Sequence, residues 1–150
     1  MIRILFVCLG NICRSPMAEF VMKDLAAREA PELELYIESG ATCSDEIGNP
    51  VYPPVRKLLN ARGIDCSGKT ARQITRADYD RFDYIIGMEG SNMRNMLRIF
   101  GGDPAHKLSL LLDHTDRPGD VADPYYTLDF TATERDVDRG CAGLLRELRK

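Results

Sequence analysis

The run Ile4-Leu5-Phe6-Val7 is apolar without alternation, the pattern of a strand covered on both faces. Behind it Met17, Phe20, Val21 and Leu25 recur at helical spacing. Ser15 is placed to N-cap that helix, Pro16 suits its first position, and an end is expected before Pro31. Leu33 to Glu38 alternates with period two and predicts a second strand. Pro53 and Pro54 open a helix carrying Val55, Leu58 and Leu59 that stops at Gly63, and Thr75 with Asp78 reads as the capping box of a short helix. Tyr84–Met88 and Leu108–Leu112 read as the third and fourth strands. A last helix is expected with Thr131 and Glu134 as its capping box and Val137, Cys141, Leu144, Leu145 and Leu148 as its inner stripe. Strands alternating with helices predict an α/β fold, a four-stranded parallel sheet flanked by helices on both faces. Ligands of such folds bind beyond the carboxyl ends of the strands.

The chemistry gathers at one such end. Cys8-Leu9-Gly10-Asn11-Ile12-Cys13-Arg14-Ser15-Pro16 joins the first strand to the first helix. Loop amides and the positive end of the helix dipole there face whatever sits above Cys8, which favours an anion. Five residues separate Cys8 from Arg14, enough for the loop to bring the guanidinium back over the sulfur, where it grips two oxygens of a phosphate. The same groups favour the thiolate, and Ser15 adds a hydroxyl donor to it. Reading Cys8 as a small buried apolar residue leaves Gly10, Arg14, Ser15 and Pro16 unexplained together.

Composition narrows the remaining classes. At 150 residues, with no linker or composition shift, one domain spanning 1–150 is expected. A net charge of -3 with 29% charged residues provides no basic field for nucleic acid. No apolar segment of signal-peptide length, about 7–15 residues, and none approaching about 18 residues is present, so no membrane role and a cytoplasmic location are expected. Five cysteines, an odd number, suit reduced thiols. His106 and His114 are poorly grouped with cysteines, and neither a metal nor an organic cofactor is implied.

The chain resembles the low-molecular-weight protein tyrosine phosphatases. The resemblance rests on Phe6 to Glu19, Glu46 to Pro50, Ala71 to Gln73, Asp83 to Ile86 with Met88, Ser91 and Asn92, and Asp123 to Tyr126. These segments follow the family order across nearly the whole chain. It implies a sheet in which the first two strands exchange order, and hydrolysis of phosphotyrosine and small aryl phosphates through a phosphocysteine intermediate. Cys8 is then the nucleophile and Arg14 the phosphate clamp, within a loop of Leu9, Gly10, Asn11, Ile12, Cys13 and Ser15. Asp123, which its residues alone describe as a turn aspartate before Pro124, becomes the general acid, and in the second half-reaction the base.

The resemblance also implies that Asn11 takes a left-handed or strained conformation braced from outside, through a Ser matching Ser39 and often a His. The His position aligns with Lys69, which donates but cannot accept, so the bracing is expected to be rewired or shorter. Arg72 reads either as a structural arginine near the loop or as a solvated surface residue. At Asp45 many members carry a Trp or Tyr that packs on the substrate ring. Asp45 cannot stack, which leaves Tyr125 and Tyr126 as one aromatic side of the substrate cleft. Tyr52 reads as a substitute or as an ordinary half-buried tyrosine. Cys13 reads as a disulfide partner for Cys8 under peroxide, as often in the family, or as an inert buried thiol. Cys43, Cys66 and Cys141 read as structural.

Three alternatives remain. A thiol-redox enzyme of the arsenate reductase type needs further cysteines in a later loop, and residues 67–140 contain none. A protein-arginine phosphatase carries Thr where this chain has Ile12. A non-catalytic phosphate sensor has no use for both Cys8 and Asp123. The expected partner is a phosphotyrosine-containing protein, with an autophosphorylating tyrosine kinase or a metabolic enzyme as candidates.

Overall fold

Ile4, Leu5, Phe6 and Val7 all have no solvent exposure, a condition that a strand meets only at the centre of a sheet covered on both faces. The computed structural model, which describes residues 1–150, places them so. Strand β1 (Ile2–Cys8) pairs in parallel with β2 (Leu35–Ala41) on one side and β3 (Tyr84–Gly87) on the other. Strand β4 (Leu108–Leu110) extends the sheet beyond β3, giving the order β2-β1-β3-β4.

Successive side chains of β1 point to opposite faces, and each face has its own core. Ile4, Phe6 and Cys8 join Met17, Val21 and Met22 of α1 (Arg14–Glu29), Val55 and Leu59 of α2 (Pro53–Ala61), and Val137, Cys141, Leu144 and Leu145 of α6 (Phe130–Leu148). Leu5 and Val7 pack on the other side with Phe82, which follows α3 (Asp78–Arg81), and with Met96 and Phe100 of α4 (Gly90–Phe100). A last short helix, α5 (Pro124–Thr127), precedes α6.

Several boundaries differ from the sequence reading. Ser15 does not cap α1: the helix begins at Arg14 behind Cys13, and the Ser15 hydroxyl turns to the Cys8 sulfur instead. Strand β2 runs later than Leu33–Glu38, because the residues that meet β1 are Leu35 to Ala41. β4 is cut short where Leu111–His114 winds into a 3-10 turn. The cap of α6 is Asp129, whose Oδ1 accepts from the N–H groups of Thr131 and Ala132 at 3.0 and 3.2 Å; Thr131 lies inside the helix. Asp78 returns half of the expected box by accepting from the Thr75 N–H at 2.8 Å, while α3 itself starts at Asp78.

Helix α6 sits unusually close to the 3-10 turn, and glycine makes the approach possible. A Cβ on Gly143 would lie 2.0 Å from the His114 carbonyl oxygen, and one on Gly140 would lie 2.3 Å from Leu111 Cγ. His114 then bridges Ser109 Oγ at 2.9 Å and Glu147 Oε2 at 2.6 Å, tying the end of β4 to the last turn of α6. Gly143→Ala gains roughly 1 kcal/mol of helix propensity but forces a carbon into a backbone carbonyl that no rotamer change relieves. A net loss of about 1–2 kcal/mol is expected from overpacking, measured as a lower urea midpoint. Gly90→Ala, whose added carbon meets nothing nearer than 3.7 Å, should leave the midpoint almost unchanged.

Candidate active site

The loop from Leu9 to Cys13 turns its carbonyls away from the cleft. The Cys8, Leu9, Ile12 and Cys13 oxygens accept from the N–H groups of Thr42, Cys43, Tyr52 and Met17 at 3.0, 3.1, 2.8 and 3.1 Å. The Asn11 N–H donates to Cys8 Sγ at 3.3 Å. The N–H groups of Leu9, Gly10, Ile12 and Cys13 have no partner within the protein. A ring of uncommitted amides at the start of a 16-residue helix is an anion cradle, and Cys8, at 4% exposure, lies beneath it. A Cβ at position 10 would press on Glu46 Cγ at 3.2 Å, so glycine lets the Glu46 side chain lie close against the loop.

Asn11 is left-handed, with φ of 60°. Its Oδ1 accepts from the Arg72 N–H at 3.2 Å, and its Nδ2 donates to Ser15 Oγ at 2.8 Å and to Ser39 Oγ at 2.9 Å. Ser15 Oγ lies 3.0 Å from Cys8 Sγ, and Ser39 Oγ donates to Glu19 Oε1 at 2.5 Å. The bracing is thus rewired: Lys69 donates to the Ser39 main-chain oxygen at 2.9 Å and stands 3.6 Å from Glu19, which supplies the acceptor. Arg72 is no free surface arginine, since Asp78 grips both its terminal nitrogens at 3.0 and 3.2 Å. Glu19 escaped the sequence reading, although an acid on the same helix face as Ser15, one turn on, was a visible signal.

Arg14 is 4% exposed and heavily engaged. Its Nη1 donates to Glu89 Oε2 at 2.8 Å and to the Val121 oxygen at 3.2 Å, while Nη2 stands 3.4 Å from Asp123 Oδ2. Burial works against its charge, yet the Glu89 bond and the nearby Cys8 and Asp123 hold its proton above the usual arginine range. Burial likewise opposes ionisation of Glu89, and the hydrogen bonds from Arg14 and Ser91 overcome it, so its carboxyl titrates below the ordinary glutamate range. Sequence reasoning missed Glu89, and its place just after β3, at the same sheet edge as Cys8, was the available signal. Asp123 caps α5, accepting from the Tyr125 N–H at 3.0 Å.

Cys8, Arg14 and Asp123 line a cleft of about 690 Å³. Tyr125 and Tyr126 stand edge to face at 5.2 Å on one side. Asp45 and Glu46 line it without an aromatic at position 45. Tyr52 is more than an ordinary half-buried tyrosine: it lines the cleft, stacked on Phe130 at 6.0 Å. Nothing in the sequence marked Phe130. Cys43, read as structural, also lines the cleft, whereas Cys66 and Cys141 are buried. Burial, reinforced by the neighbouring Cys8, pushes the Cys13 thiol up to about 12. No three His, Cys, Asp or Glu side chains gather where they could hold a metal, and no helix is long and apolar enough to cross a membrane.

The comparisons with known proteins agree with this geometry. The family described as low molecular weight phosphotyrosine protein phosphatase matches residues 3–150. The low molecular weight protein-tyrosine-phosphatase YfkJ of Bacillus subtilis is 40% identical over 100% of this chain and 97% of its own. Its crystal structure superposes with a TM-score of 0.94 at 39% identity, covering 99% of this chain and 95% of that one. The crystal structure of SP-PTP, a low molecular weight protein tyrosine phosphatase from Streptococcus pyogenes, gives 0.86 at 41% identity over 99% and 93%. That of DARP, the drosophila arginine phosphatase, gives 0.87 at 29% over 98% of each chain. A family match along nearly the whole chain, with relatives at this identity, leaves one conclusion: the chain belongs to the low molecular weight phosphotyrosine protein phosphatase family.

Proposed function

We propose that this protein hydrolyses phosphotyrosine on proteins, and small aryl phosphates, through a phosphocysteine intermediate. The observation that carries the reading is the set of four unpaired loop amides around Cys8, with Arg14 held beside them. Cys8 attacks phosphorus as thiolate and forms the S–P bond as the P–O bond to the phenol breaks. The amides and Arg14 stabilise charge on the three equatorial oxygens. Asp123 protonates the departing phenolate, then takes a proton from the water that cleaves the S–P bond, releasing phosphate and free thiolate. Tyr125 and Tyr126 on one side, and Tyr52 backed by Phe130, supply aromatic walls for the ring. Ile12, an apolar residue, sets the cleft apart from the arginine-phosphatase branch. Five free cysteines support a reducing, cytoplasmic setting, with a phosphotyrosine-bearing protein such as an autophosphorylating kinase as substrate.

Side-by-side turnover on phosphotyrosine, phosphoserine and phosphoarginine peptides tests the substrate class, and only the first should be cleaved efficiently. Cys8→Ser should abolish turnover while phosphate or vanadate still binds. Asp123→Asn should slow phosphotyrosine cleavage by about 10²–10⁴-fold, with a much smaller loss on an aryl phosphate whose phenol is acidic. Equal losses on both substrates remove Asp123 from the acid role.

Asp45 leaves the cleft short of one stacking partner, a contact worth roughly 0.5–1.5 kcal/mol beyond area burial. Asp45→Trp should lower KM for phosphotyrosine peptides several-fold, most for peptides with acidic neighbours, because a like charge leaves the rim. kcat should change little, since ring binding does not separate ground state from transition state. An unchanged KM would mean that the ring is held elsewhere, with Tyr52 the next residue to vary.

Redox sensitivity follows from the two loop thiols. Burial pushes the Cys13 thiol up to about 12, so peroxide reacts first at Cys8. Cys8 thiolate displaces hydroxide from peroxide to give a sulfenic acid, and Cys13 sulfur then displaces water from it, forming an S–S bond. Peroxide should therefore inactivate reversibly, with a linked Cys8–Cys13 peptide by mass mapping, and Cys13→Ser should make the loss irreversible. Unchanged recovery in Cys13→Ser leaves Cys13 as packing.

A further inference from the structure

Of the nine large apolar side chains that stand exposed, five line the cleft above Cys8: Leu9, Tyr52, Tyr125, Tyr126 and Leu128. Exposed apolar residues scattered singly need no explanation, but a group gathered on one cleft marks a binding surface. In the proposed reaction the substrate ring accounts for the three tyrosines, and Leu9 belongs to the loop that cradles phosphate. Leu128 is left over. It is the most exposed of the nine, at 85%, and its backbone is left-handed, with φ of 56° and ψ of 22°.

That conformation suits glycine or asparagine better than leucine. The corner is fixed on both sides. The Leu128 N–H donates to the Pro124 oxygen at 2.8 Å and closes α5, while the Asp129 N–H donates to Thr127 Oγ1 at 3.1 Å and Asp129 Oδ1 caps α6. Leu128 belongs to neither apolar core. Neither packing nor backbone geometry therefore calls for leucine here, and backbone strain of this kind gathers at ligand contacts. The charges of the cleft indicate what the side chain meets. Asp45 and Glu46 line it, and its one cation, Arg14, is already bound to Glu89. An acidic residue beside phosphotyrosine meets like charge there, whereas an apolar one meets Leu128.

We propose that Leu128 is a specificity-determining residue, which seats an apolar side chain adjacent to the phosphotyrosine of the substrate protein. The proposal rests on the phosphatase reading of the cleft. Peptides that differ only beside the phosphotyrosine test it, with leucine on one side, leucine on the other, or serine on both. The parent should favour its better leucine peptide over the serine peptide by about five- to tenfold in kcat/KM, the scale of partly burying one leucine side chain. Leu128→Gly accepts the left-handed corner and should bring that ratio to within about twofold of unity. Leu128→Asn, which also tolerates this backbone, should lose the preference too. Leu128→Met returns an apolar side chain and should restore it. Phenyl phosphate has no flanking residue and a leaving group that needs the Asp123 proton, so kcat/KM on it should stay within about twofold of the parent in Leu128→Gly. Cys8→Ser, expected to bind without turnover, should show the same leucine preference in Kd. Equal kcat/KM for the leucine and serine peptides in the parent overturns the inference, as does a parental ratio retained in Leu128→Gly or Leu128→Asn. A concentration-dependent dimer that Leu128→Gly dissociates, without any peptide preference, assigns the patch to a second copy of the chain and overturns it likewise. A parent that hydrolyses no aryl phosphate overturns the phosphatase reading instead, and the Kd ratio on Cys8→Ser then decides the inference by itself.

Discussion

The left-handed turn at Asn11 is the constraint on which the site depends. With φ of 60° this residue bends the chain so that amides, not carbonyls, ring the cavity above Cys8. A non-glycine residue in that region is costly, of order 1–3 kcal/mol, and persists because three other segments hold it. Arg72 contributes a main-chain donor, Ser39 a hydroxyl from the end of β2, and Ser15 another from α1. Each brace is itself anchored: Arg72 by Asp78, Ser39 by Glu19, and Ser15 by the helix that contains it. The parallel pairing of β1 with β2 brings Ser39 beside Phe6, within two residues of Cys8 along the strand direction. The loop conformation is therefore a property of the sheet and its helices together.

Charge is the second organising theme. Arg14 is the single cation lining the cleft, against carboxylates at Asp45, Glu46 and Asp123, with Glu89 bonded to it from behind. Burying a guanidinium without partners would be prohibitive, and Glu89 together with the Val121 carbonyl makes the burial tolerable. With an acid at position 45, the aromatic side chains lining the cleft are the exposed tyrosines at 125 and 126, Tyr52 and Phe130.

Much of this was legible locally and little of it at long range. A strand buried on both faces, a loop with Cys8, Asn11 and Arg14 at fixed spacing, and a proline in the first turn of α1 all depend on neighbours in sequence. The four-stranded parallel order agrees with what the family resemblance implied. Contacts that depend on the meeting of distant segments left weaker traces. Glu89 joins Arg14 across 75 positions, and Tyr52 meets Phe130 only because α2 and the start of α6 flank the same cleft. Ser15 was misread for a related reason. A serine before a proline at a helix start has the capping pattern, but here a sulfur competes for its hydroxyl and the backbone goes uncapped.

The double anchoring of Arg14 has a consequence for affinity. An arginine free in solvent surrenders roughly 1.5–2 kcal/mol of side-chain entropy when it is immobilised. Here Glu89 and the Val121 oxygen hold Nη1 already, and packing leaves the residue 4% exposed. That ordering cost was met during folding, so in the mechanism we propose an arriving phosphate would encounter a guanidinium with its plane and position set. The same carboxylate partner tempers the attraction, so that the clamp is rigid without being an unopposed positive charge. Geometric readiness and moderate grip suit the role we propose for Arg14, a clamp that would release a phosphate anion in every cycle.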